Sequence, residues 1–183
     1  MSFPAVTADL RQATGRVSLE GKSLGTAIVI SADHVATAAH VIGDDERHLL
    51  HAAVFKVAFT DGPREFRARA DWVDWAMDIA VLERMDREVP LPPSVPVRQL
   101  AAARPGSLQP AWVTWGFPPD INRHGFGLVG NVVADAAVLA KDVPALQLTV
   151  VQNASHHLGG VSGGPVMVDG CCVALIREYP LAV

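Results

Sequence analysis

Cysteine, tyrosine and long apolar runs are what this chain of 183 residues has least of. It holds two cysteines, Cys171 and Cys172, and they are adjacent. Neighbours make poor disulfide partners, because the bridge wants α-carbons roughly 4.4–6.8 Å apart, and two cysteines give no metal-ligand spacing. They read as core residues, and a chain with no disulfide framework is expected in the cytoplasm. No apolar run approaches the 18 or so residues of a membrane span. The first 25 residues carry Asp9, Arg11, Arg16 and Glu20 and no hydrophobic stretch, so no secretory leader is expected. The formal charge is −4 and the basic residues are dispersed, which points away from nucleic acid as a partner. Half of the residues are hydrophobic, ample for a core in one large or two small units.

Long helical periodicity is nearly absent too. Short alternating runs bounded by Gly, Pro and Asp predict an all-β sandwich or barrel pair. Residues 15–19 and 24–31 read as strands around Glu20-Gly21-Lys22-Ser23, and Val35 to Thr37 as a third. Thr7 to Gln12 allows one helical turn. Ala53 to Phe59 and Phe66 to Val73 are strands. Glu83 to Pro96, rich in charge and proline, reads as a linker. Ala111 to Phe117, 127–139 and 146–152 are strands. Val166 to Val168 and Cys171 to Arg177 flank Asp169-Gly170, a dipeptide favoured in tight hairpins.

The densest chemical signal is Gly159-Gly160-Val161-Ser162-Gly163-Gly164-Pro165. Glycines on both sides of a serine let successive N–H groups converge beside its hydroxyl, as acyl transfer requires. A serine needs a base to take its proton and a group to orient that base. Ala38-Ala39-His40, following Val35-Ala36-Thr37, offers the histidine on a tight turn. Asp71, Asp74 and Asp78 compete as the acid. Asp78 is preferred because the apolar run Ile79-Ala80-Val81-Leu82 follows it directly and would desolvate it. Gly160 to Gly164 also fits the G-x-S-x-G elbow of α/β-hydrolases, but in that fold acid and histidine follow the serine. Here all seven histidines precede Ser162. His48 and His51 have no ligand cluster around them and read as surface residues.

The T-A-A-H, D-I-A-V-L and G-x-S-G-G-P blocks, in that order, resemble the chymotrypsin-like (trypsin-fold) serine peptidases over roughly residues 14–178. The resemblance implies an all-β fold of two barrels, residues 1–95 carrying histidine and aspartate and residues 96–183 carrying the serine. It implies His40 as general base, Asp78 as its orienting acid, Ser162 as nucleophile, and the N–H groups of Gly160 and Ser162 as the oxyanion hole. It calls for no cofactor or metal, and for a protein or peptide substrate. The pocket for the side chain before the scissile bond would involve His156, His157 and Arg177, favouring an acidic residue, or else both histidines face solvent and the pocket is a shallow apolar slot. Three departures stand out. Val161 replaces the aspartate that pairs with a new N-terminus in zymogen-activated members, as in bacterial intracellular-type members. The histidine's neighbour is Val41, where secreted members have a bridged cysteine. The second barrel also falls short of the family's last strand and C-terminal helix. The expectation is therefore a module of a larger regulated protein, completed by further domains or a partner chain. The other expectation is a peptidase fold kept for binding, with the serine idle.

Overall fold

A computed structural model describes residues 6–43, 53–99, 110–118, 124–138, 144–151 and 159–177. His48, His51, His156 and His157 lie outside the described residues. The chain opens with a short helix, α1 (Ala8–Ala13), whose first turn is capped by the Thr7 hydroxyl accepting from Leu10 N–H at 3.1 Å. Leu10 and Ala13 are its buried face. Six strands follow: β1 (Thr14–Leu19), β2 (Lys22–Val29), β3 (His34–Thr37), β4 (Val54–Phe59), β5 (Gly62–Asp74) and β6 (Ile79–Arg84). They close into a barrel in the order β1-β2-β3-β6-β5-β4, with β1 pairing β4 antiparallel. Alternation fills it. Along β4, Phe55, Val57 and Phe59 point inward while Val54 and Lys56 face out.

Five more strands, β7 (Ala111–Gly116), β8 (Phe126–Val138), β9 (Pro144–Val150), β10 (Pro165–Val168) and β11 (Cys171–Leu175), form a second sheet in the order β11-β10-β7-β8-β9. Its own core gathers Trp112, Leu128, Val132, Val161, Val166 and Val168. The fold is all-β and two-barrelled in plan, with the first barrel closed and the second an open sheet among the described residues. No helix of the described residues is long and apolar enough to cross a membrane.

Between the two lies a third apolar cluster, with Ile28 of β2 and Ala36 of β3 meeting Val113 of β7, Met167 of β10 and Cys172 of β11. This explains why Gly25 to Val29 is buried without alternation. One face of β2 lines the barrel and the other meets the second sheet, so the strand needs small and apolar residues on both sides.

Two details differ from the sequence expectation. β5 runs for 13 residues from Gly62, starting before the expected strand at Phe66 and carrying Asp71 and Asp74 as exposed residues. A register shift against β6 between Ala68 and Val73 lets this long strand bend. Glu83 belongs to β6, and the linker starts later. That linker is pinned to the barrel, with Arg84 Nη1 donating to the Val89 carbonyl at 2.7 Å and Arg64 Nη2 to the Pro90 carbonyl at 3.4 Å. It then bridges to the second sheet, where Cys172 N–H donates to the Pro96 carbonyl at 2.7 Å. Cys172 is buried, Cys171 half-buried, and both are free thiols. Burial pushes the Cys172 thiol up to about 11, so it is inert at neutral pH.

Candidate active site

β3 and β6 pair antiparallel with Thr37 opposite Ala80. Residues just past Thr37 and just before Ala80 therefore leave the barrel at the same end. The ladder continues one step, Ala39 N–H donating to the Asp78 carbonyl at 3.1 Å. Ala38 and Ala39 are fully buried, and their small side chains let the chain tighten into a 3-10 turn over Ala39–Val41. His40 sits in that turn. Asp78 adopts φ +56°, a left-handed conformation that aspartate tolerates better than most residues. It turns the carboxylate back onto His40 from both sides. Asp78 Oδ2 is 2.7 Å from His40 Nδ1, and Oδ1 accepts His40 backbone N–H at 2.9 Å.

Asp78 is 6% exposed and the His40 side chain 43%. Burial alone pushes the carboxyl up. The His40 ring and backbone N–H bonds, with the charges of His40 and Arg177, outweigh it and hold the carboxyl below its ordinary value. Asp71 and Asp74 are committed elsewhere. Asp71 pairs with Arg69 at 3.0 Å, and Asp74 caps Met77 N–H at 2.9 Å.

Ser162 reaches the same end of the barrel through β2. Ala27 opposes Thr37, so Thr26 lies next to the turn that carries His40. Thr26 N–H donates to the Ser162 carbonyl at 2.8 Å, and Thr26 Oγ1 donates to the Gly160 carbonyl at 2.7 Å while accepting Phe117 N–H at 3.1 Å. Its own carbonyl accepts Thr37 Oγ1 at 2.7 Å. One buried threonine thus ties the serine loop, the end of β7 and the His40 strand together. Gly163 (φ +80°) passes so close that a Cβ would lie 2.1 Å from the Thr26 carbonyl and 2.4 Å from Thr37 Oγ1. Only glycine fits there. Gly163 N–H donates to the Ile176 carbonyl and Gly164 N–H to the Val161 carbonyl, which folds the loop onto the segment after β11.

Residues 25–175 match the family described as the trypsin-like peptidase domain. The chain belongs to that family. The match makes it a trypsin-fold serine peptidase domain. Among solved structures it is similar to the crystal structure of Deg5, with a TM-score of 0.67 at 19% identity over 93% of this chain and 81% of that one. It is similar also to the HtrA-type protease AlgW with decapeptide, TM-score 0.68 at 16% identity, covering 93% of this chain and 57% of that one. At these identities the likeness is one of fold. No curated protein matches the sequence.

Within the peptidase domain, Ser162 Oγ donates to the Arg177 carbonyl at 3.3 Å. Among the described residues no hydrogen bond joins it to His40. Val161 is buried in the core of the second sheet against Gly116. Arg177 has its Nε 3.4 Å from Asp78 Oδ2. An open depression of about 420 Å³ is lined by Asp71, Trp72, Asp74, Trp75 and Ile79, the run leading to and just past Asp78. No group of three or more His, Cys, Asp or Glu among the described residues could hold a metal ion.

Two functional contacts escape sequence reasoning. The first is Thr26, whose place in a buried run flags a strand and nothing more. The second is the approach of Arg177 to Asp78, which joins residues 99 positions apart. A cation two residues beyond β11, at the end where Ser162 sits, was the only available signal.

Proposed function

We propose that this chain is a serine endopeptidase module in which Ser162 is the nucleophile, His40 the general base and then acid, and Asp78 the group that orients the imidazole. The N–H groups of Gly160 and Ser162 are the oxyanion donors. The supporting observation is the two-pronged contact of Asp78 with His40, through Nδ1 and the backbone N–H together. A carboxylate on Nδ1 fixes the tautomer that leaves Nε2 free to accept a proton. As Ser162 Oγ bonds to the substrate carbonyl carbon, its proton passes to Nε2 and the electron pair moves onto the carbonyl oxygen. Collapse breaks the C–N bond, Nε2 protonates the leaving amine, and an acyl-Ser162 remains. Water, deprotonated by the same Nε2, attacks the acyl carbon, the C–Oγ bond breaks to release the acid, and Nε2 returns the proton to Ser162 Oγ.

A second reading, a peptidase fold that binds a protein without cutting it, is favoured by one observation. The Ser162 hydroxyl is turned to the Arg177 carbonyl. A fluorophosphonate probe separates the two, since only an activated serine reacts. Labelling of the parent chain that is lost in Ser162→Ala and His40→Ala supports the peptidase. A parent that never labels supports the binder.

The wider reading belongs to the same proposal. Residues 1–95 and 96–183 are the two halves of one peptidase domain, acting in the cytoplasm as part of a larger regulated protein. Burial of Val161 supports a serine loop ordered by packing, without a newly released N-terminal amine. The pocket proposed around His156, His157 and Arg177 favours an acidic side chain. A peptide panel varying that one residue tests it, and a preference for Arg or Lys overturns it.

A further inference from the structure

Arg177 makes two contacts with the site at once. Its carbonyl accepts the Ser162 hydroxyl. Its Nε lies 3.4 Å from Asp78 Oδ2, the oxygen that also holds His40 Nδ1 at 2.7 Å. The carboxylate is thus shared between a permanent cation and a ring that is cationic only when protonated. Oδ1 is already taken by His40 backbone N–H. Among the described residues, the charges acting on Asp78 come from His40 in the 3-10 turn and Arg177 after β11. Asp74, on the same bend, is exposed and caps Met77 N–H. Asp71 is exposed and paired with Arg69.

We propose that Arg177 is a positioning residue of this site. Its guanidinium braces the Asp78 carboxylate against His40 and, by sharing Oδ2, keeps the ring neutral at lower pH than an Asp–His pair alone would. The proposal rests on the reading of His40 as general base. A fixed cation beside the carboxylate offsets part of the negative charge that stabilises the imidazolium, and it repels the imidazolium directly. Both effects disfavour the protonated ring, so a base able to take the Ser162 proton persists to more acidic pH. Arginine suits the task because it stays charged throughout the relevant range. With the Arg177 side chain 36% exposed, solvent screens the effect to a fraction of a buried pair's.

Two readouts test this. One is the pH profile of the rate of fluorophosphonate labelling. The other is the titration of the His40 ring followed by NMR, its signal assigned by its loss in His40→Ala. Arg177→Gln removes the charge and keeps a polar side chain, whereas Arg177→Lys keeps the charge. In Arg177→Gln both the acid limb and the His40 midpoint should move to higher pH, and in Arg177→Lys by less than half as much. An unchanged midpoint in Arg177→Gln overturns the proposal, even where labelling falls, because a purely structural brace would lower labelling without moving the titration. Equal shifts in both variants overturn it as well, since charge would then not be the cause. A parent that never labels sinks the nucleophile reading alone, and the NMR midpoint still decides for Arg177.

Discussion

His40 and Asp78 follow and precede neighbouring strands of one closed barrel, and the two hydrogen bonds between them form at one end of that barrel. Ser162 comes from a loop of the second, open sheet, and three of the hydrogen bonds that shape its surroundings are made with Thr26 of the first barrel. The two halves of the site are thus held differently. The first half follows from strand register, because β3 and β6 deliver their ends to one place. The second half has little register to draw on, and its glycines make it conformationally costly to order. It takes its shape from contacts with the other barrel. Changes in the first half should therefore act on chemistry with little effect on architecture, and changes at the seam should disturb both.

The largest expected effect is in the first half. Asp78→Asn should lower the labelling rate by about 10⁴-fold, the loss seen when a triad aspartate loses its charge in trypsin-type enzymes, with little change of fold. Equal damage from Asp71→Asn or Asp74→Asn would break the assignment. At the seam, Gly163→Ala should reduce labelling by about 100-fold, because the loop must move away from a backbone carbonyl and an error near 1 Å costs that much. It should lower the melting temperature too. Gly21→Ala is its control. Gly21 has almost the same φ, +81°, but a Cβ there meets nothing within 4 Å. It should cost about 1–2 kcal/mol of stability from the left-handed strain alone and leave the labelling rate unchanged.

Thr26→Val sharpens the comparison with a smaller effect. It keeps shape but leaves the Gly160 carbonyl and Phe117 N–H without their partner, at about 1–3 kcal/mol for each buried group left unpaired. Urea midpoints and labelling rates should fall together, and Thr26→Ser should recover most of both. If Thr26→Val lowers stability but not labelling, the threonine supports the fold without shaping the serine loop.

Strand content, hairpin turns and chain order were legible because they depend on neighbours. Glu20-Gly21 and Asp169-Gly170 both take the paired positive-φ conformation that such dipeptides favour. Asp78 stood out from Asp71 and Asp74 because an apolar strand follows it, and a register match with β3 carries that strand's head to His40. The length of β5 was not legible. Arg67 and Arg69 lie on a strand face that is solvated, where the ion pairs Arg67–Glu83 and Arg69–Asp71 cover it, and Arg64 breaks the apolar pattern from a buried position on the other face. Arg177 was read as a pocket residue from its place after β11. Its approach to Asp78 depends on how the second sheet packs on the barrel, which local pattern does not encode.

The Thr26 bonds also bear on timing. They join residues 134 and 136 positions apart, among the longest closures the chain makes, and non-local closures form slowly. During synthesis the first barrel leaves the ribosome well before Ser162 does, and such units fold in order of emergence. The serine loop then docks onto a barrel already built. A chain whose barrel has failed to close offers the loop no template, so a misfolded copy cannot assemble the site.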